Sequence, residues 1–162
     1  MQAERWHDTT TLILSLLAAI ILAYLPLPDA LQNVWPHWVF LILANWALMM
    51  PQRVGLGMAF CVGVFMDVAL GTPLGANALS LVVGIYFVAQ FRQQVLMYPL
   101  WQQALLITLL VLGIQAILFR VNVSFSRDGL YWSLLGVPIT SGLLWPLLNA
   151  YFADYKQQLP RY

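Results

Sequence analysis

Long apolar runs follow one another along this chain, parted only by short breaks rich in Pro, Gly and charge. The runs lie near residues 10–27, 36–50, 54–70, 75–91, 99–119 and 131–152. A helix crossing the hydrocarbon core of a bilayer takes roughly 20 apolar residues, within a range of about 17 to 25. The run near 36–50 is short by that measure, and Trp35 and Trp38 at its start read as interfacial anchors. A membrane barrel would show short alternating segments; these runs are apolar on every side. The chain is 62% hydrophobic and 8% charged, against about 25% charged in a soluble domain. A core built from 162 residues hides too little surface to shelter so much apolar chain from water, because a small domain leaves about a third of it exposed. Lipid removes the difficulty by solvating the outer faces. The expectation is an all-α polytopic membrane protein of about six transmembrane helices, one domain over 1–162 with no soluble appendage. A five-span variant, with the short second run re-entrant, stays open. The first run exceeds a signal-peptide core and ends in Pro26 and Pro28 instead of a small-residue cleavage site, so it reads as an uncleaved span.

Basic residues mark the cytoplasmic side of such a protein. With the N-terminus inside, Arg5, Arg53, Arg92, Lys156 and Arg161 are cytoplasmic and only Arg120 and Arg127 lie outside. Both termini are then expected in the cytoplasm. A net charge of +1 gives no reason to expect nucleic acid. Cys61, the single cysteine, excludes an internal disulfide and a cysteine metal cluster. The sequence holds no serine–histidine arrangement, paired carboxylates, metal-ligand spacing or phosphate loop. No enzyme, metal or cofactor is expected.

Asp67 is the one acidic residue inside a run. A charge at the centre of a membrane helix costs on the order of 2.5–3.5 kcal/mol, and the last turn of a helix further disfavours an anion. Two readings stand: a hydrated Asp near the outer surface, or a buried lock to Arg120, Arg127 or backbone donors near Thr72. A proton relay needs more than one titratable group and is set aside. Gly55, Ala59, Gly63, Asp67 and Gly71 recur every four residues, a small-residue face that lets another backbone approach. In Gly71-Thr72-Pro73-Leu74-Gly75, Gly71 can end a helix in the left-handed region and Pro73 cannot continue one. The segment reads as a rigid hairpin turn, with Asn77 and Ser80 in reach of Asp67. Pro51, Arg53 and Gly55 do the same work at the opposite end. Trp101, Gln102 and Gln103 open the fifth run, and Asn45 and Gln115 read as interhelical hydrogen-bonding groups.

Three segments carry a resemblance: Pro51-Gln52-Arg53-Val54-Gly55, MDVALGTPLGANALS from Met66 to Ser80, and YPLWQQA from Tyr98 to Ala104. Together they resemble the rod shape-determining MreD family of bacteria. In that family a Pro and an Arg open a span, an Asp ends it, and a Gly-Ser/Thr-Pro-Leu-Gly turn leads into the next helix. The resemblance implies a bacterial inner-membrane component of the cell-elongation machinery. It implies action with MreC, MreB filaments, a RodA-type glycosyltransferase and a class B penicillin-binding protein in lateral peptidoglycan synthesis and rod shape. The family is also similar in fold to the substrate-binding subunits of energy-coupling-factor vitamin transporters, so the alternative is a small-molecule-binding membrane subunit. The residues expected to matter are Asp67, Gly71, Pro73, Gly75 and Asn77 on the outer side and Pro51, Arg53 and Gly55 on the inner side. Gly63, Trp101 and Gln102 complete the set. Whether the chain forms a homodimer stays open.

Overall fold

A computed structural model describes the backbone of residues 2–26, 28, 31, 34–121 and 127–152, and the side chains of these except 2–8, 120, 121 and 127–133. The described residues form seven helices and no strand: α1 Gln2–Ala23, α2 Trp38–Met49, α3 Leu56–Leu70, α4 Ala76–Gln90, α5 Arg92–Met97, α6 Leu100–Val121 and α7 Arg127–Tyr151. Six of them fall on the six apolar runs. α1 departs most from its run, starting at Gln2 and ending at Ala23. It stops there because Leu25 precedes Pro26, and a residue before proline is pushed out of the helical region.

α2 is the centre of the molecule. Every residue from Val39 to Leu48 is buried, as expected of a helix that is apolar all round, and α1, α4 and α7 pack against it. α3 packs on α4, α4 on α6, and α6 on α7. Side-chain contacts fix the directions. Trp35 Nε1–H donates to the Leu22 carbonyl (3.0 Å) and Trp46 Nε1–H to Ser15 Oγ (2.8 Å), so α1 and α2 are antiparallel. The His37 N–H donates to Ser141 Oγ (3.1 Å), and the Trp46 ring meets Phe152 at 5.7 Å between centroids, so α2 and α7 are parallel. Gln103 meets Asn149 and Thr108 lies against Gly142, so α6 and α7 are antiparallel. Tyr24 Oη–H donates to the Met66 carbonyl (3.3 Å), and Arg53 Nη1–H to Thr9 Oγ1 (3.1 Å), so α3 is parallel to α1. The six longer helices therefore alternate in direction, with Thr9, Arg53 and Arg92 at one end. α2 runs from the Leu22 end to the Arg92 end.

The segment after α4, expected as a plain break, is the six-residue helix α5. Val95 is its buried residue, while Leu96 and Met97 are exposed. Apolar stripes lie open on α6 (Trp101, Leu105, Leu109) and α7 (Leu135, Ile139, Leu143, Leu147). Such stripes suit lipid better than water. Among the described residues, two helical segments, Leu100–Phe119 and Leu134–Tyr151, are long and apolar enough to cross a membrane. Thr9–Ala23, Trp38–Met49, Leu56–Leu70 and Ala76–Gln90 are apolar but shorter.

Candidate functional site

The turn between α3 and α4 is organised by Asp67. Gly71 closes α3 in the left-handed region (φ 63°, ψ 23°), and its N–H donates to the Asp67 carbonyl. The Thr72 N–H donates to the same oxygen (3.1 Å). Gly75, at φ 100°, precedes the first residue of α4. Both glycines hold conformations that a side chain would strain.

The Asp67 carboxylate reaches across this turn. Its Oδ1 accepts from Thr72 Oγ1–H (2.9 Å), the Asn77 N–H (2.9 Å) and Asn77 Nδ2–H (3.0 Å). Its Oδ2 accepts from the Gly75 N–H (2.8 Å) and the Ala78 N–H (3.3 Å). Asn77 Nδ2–H also reaches Thr72 Oγ1 (3.2 Å). The backbone donors are those that the start of α4 cannot satisfy within itself. Asp67 thus caps α4 from the preceding helix, and the anion disfavoured at the end of α3 sits at the positive end of α4.

Of the two readings open for Asp67, the geometry is that of the buried lock, for Asp67 has no exposed surface and takes backbone donors just past Thr72. The Arg120 and Arg127 side chains lie outside the described residues. Ser80 was expected in reach of Asp67. Its hydroxyl instead donates back to the carbonyls of Ala76 (2.7 Å) and Asn77 (3.0 Å), since it lies a turn deeper in α4. Pro73 is exposed, and its carbonyl accepts the Ala76 N–H (3.1 Å).

Below the turn, a Cβ on Gly63 would run into Ala78 Cα and lie 2.7 Å from the Ala78 nitrogen. Glycine at 63 is what lets the two backbones touch. Gly55, on the same stripe, has open space around it. At the opposite end, the Arg53 and Val54 N–H groups donate to the Met50 carbonyl (3.0 Å each), closing the tight turn over Pro51. Arg92 Nε–H donates to the Leu48 carbonyl (2.9 Å) in the last turn of α2. A cation there complements the helix dipole. The sequence reading placed Arg92 on the inner side without a partner; an Arg just past an apolar run was the available signal.

In the segment opening α6, Trp101 is exposed and Gln102 half-buried. Gln103 is the buried member. Its Nε2–H donates to the Tyr98 carbonyl (3.0 Å), and its Oε1 accepts from Trp145 Nε1–H (3.2 Å) and Asn149 Nδ2–H (2.9 Å). Trp145 and Asn149 stand one turn apart on α7. Asn149 is buried in this cluster. Asn45 on α2 is wholly buried, and neither of its amide atoms has a hydrogen-bond partner among the described residues.

Chemically, the five hydrogen bonds to the Asp67 carboxylate come from neutral donors and hold the turn together. Among the described residues no three His, Cys, Asp or Glu side chains stand close enough to share a metal ion. A family profile described as rod shape-determining protein MreD matches residues 5–154. A Haemophilus influenzae protein described as "Rod shape-determining protein MreD" is 33% identical over 136 residues, covering 84% of each chain. No solved structure matches the chain, so the likeness in fold to vitamin-transporter subunits gains no support from that comparison.

Proposed function

The chain belongs to the MreD family of rod shape-determining proteins, and on that premise we propose that it is a non-catalytic, multi-pass scaffold of the bacterial inner membrane. In this reading α1, α2, α3, α4, α6 and α7 are six spans of one domain. The end that carries Arg53 and Arg92 faces the cytoplasm, with both termini, by the distribution of basic residues. The scaffold binds the transmembrane helix of MreC. Through the complex with MreB filaments, a RodA-type glycosyltransferase and a class B penicillin-binding protein, it directs lateral peptidoglycan synthesis.

The observation that carries this reading is the use of the buried polar groups. Asp67 ties α3 to α4, Gln103 ties α6 to α7, and Arg92 closes α2. These groups are spent on fixing helices to one another, which is what a scaffold needs and a catalyst does not. The test is recovery of MreC after gentle detergent extraction, with photo-crosslinkers placed at exposed positions of α3, α6 and α7. Cross-links to the MreC helix, clustered on one face, support the scaffold. Absence of MreC from every position refutes it.

One observation favours the second reading, a small-molecule-binding membrane subunit. The unpartnered amide of Asn45 in the middle of the bundle is the kind of buried polar group that a ligand would satisfy. Native mass spectrometry of the extracted protein separates the two: a bound metabolite favours this reading, a bound polypeptide the scaffold.

A further inference from the structure

We propose that this protein thins the bilayer along one wall, the one made by α1, α3 and α4, while leaving the lipid beside α6 and α7 at ordinary thickness. The proposal rests on the membrane-spanning reading above and adds to it a lipid-deforming surface.

The argument starts from length. α3 and α4 have 15 residues each, which gives about 22 Å at 1.5 Å per residue. α1 is longer, but Glu4, Arg5, His7 and Asp8 make its first turns polar, and the helix after them ends at Ala23. The hydrocarbon core is about 30 Å thick. The apolar part of α6 has 20 residues and matches that thickness at about 30 Å. α2 is shorter still, at 12 residues, but it is buried on all sides and meets no lipid. The mismatch therefore falls on α1, α3 and α4, which are neighbours. α3 packs on α4, and α1 is tied to α3 at both ends, by Tyr24 to Met66 and by Arg53 to Thr9.

This wall is greasy. Phe60, Phe65 and Val68 of α3 and Phe87 of α4 are exposed. It also has hard edges. Exposed Gln52 and Arg53 mark one edge, and the Gly71–Gly75 turn marks the other. A helix that is too long can tilt, but tilting makes a short helix shorter still. A short one is accommodated by thinning of the bilayer, by snorkelling of flanking side chains, or by oligomerisation. Snorkelling needs long basic residues; Arg53 and Arg92 supply them at one edge, but the Gly71–Gly75 turn carries none at the other. The hairpin cannot extend either, because the Asp67 cap locks its turn and Gly63 lies flush on Ala78. Lipid must come down to meet the protein at the Gly71–Gly75 edge of this wall.

The test uses the full chain with Cys61→Ser and single spin-labelled cysteines at Leu56, Leu70, Phe65 or Leu109, in dioleoylphosphatidylcholine vesicles. Depth is read from oxygen and nickel-chelate relaxation. The expected result puts Phe65 and Leu109 in hydrocarbon and both Leu56 and Leu70 at headgroup depth. A Leu56 or Leu70 label several ångströms inside the hydrocarbon would overturn the proposal while leaving the membrane reading intact. Spin–spin broadening at Phe65 would place a second copy on the wall and also overturn it. Water-accessible labels at both Phe65 and Leu109 would bring down the membrane reading itself.

Discussion

Five donors converge on the Asp67 carboxylate, three of them backbone N–H groups of the next helix. Asp67→Asn keeps the size but turns an amide group, itself a donor, toward donors. Hydrogen bonds to a charged group are worth about 1.5–3 kcal/mol each, and an uncapped helix start adds to the loss. The expected destabilisation is about 3 kcal/mol, read as a lower midpoint of thermal unfolding in detergent; an unchanged midpoint would show that the carboxylate is not needed. Glycines give a paired test. Gly63→Ala pushes a methyl into Ala78 and should cost about 1–3 kcal/mol. Gly57→Ala meets open space within a helix and should be neutral or stabilising by about 0.5–1 kcal/mol. Asn45→Leu removes two buried, unpartnered polar atoms and should raise the midpoint, since replacing an unsatisfied group by a similar apolar one removes its desolvation cost. A fall would mean that Asn45 is partnered in the protein as purified. The importance of Asp67 was legible because one acid in an apolar run stands out. Its main partners were not, because backbone N–H groups have no letter in a sequence.

At the scale of the helices, punctuation was readable and packing was not. Pro51, Gly71 and Pro99 mark the end of α2, the end of α3 and the start of α6 to within two residues, because each either cannot continue a helix or suits its first turn. The centrality of α2 left no trace, since a helix buried on every side has no polar face to betray its orientation. α5 escaped because six residues are too few to show a period. Gln102 and Gln103 illustrate the same limit. They are adjacent, equally polar and equally placed in the motif, and only the phase of α6 turns one into the core. Gln103→Leu would orphan the Tyr98 carbonyl and Trp145 Nε1 and remove the bond from Asn149 Nδ2 in the buried cluster. It should cost about 2–3 kcal/mol, a few lost bonds with buried partners left behind. Gln102→Leu, half-buried and outside that cluster, should change stability by about 0.5 kcal/mol at most, as surface substitutions do. Equal losses in the two variants, compared by thermal unfolding in one detergent, would remove the cluster from its role as the clamp between α6 and α7.

The whole molecule has a polarity that no single helix displays. Contacts between helices make the six longer ones alternate, so chain ends and turns sort into two sets. Arg53, Arg92 and Thr9 belong to one set, and the Gly71–Gly75 turn belongs to the other. Sequence supplied the charge asymmetry between the sets, and structure supplied the fact that they lie at opposite ends. The basic set should face the cytoplasm, which cysteine accessibility can check directly. In a Cys61→Ser background, single cysteines at Gln52, Gln93 and Leu74 are all at exposed positions. In intact spheroplasts a membrane-impermeant maleimide should label only the Leu74 position. In inverted vesicles it should label the Gln52 and Gln93 positions and spare Leu74. The reversed pattern would leave the alternating bundle untouched and overturn its orientation. Labelling of Gln52 and Leu74 from the same side would contradict the bundle itself, because α3 would then fail to carry the chain from one face of the membrane to the other.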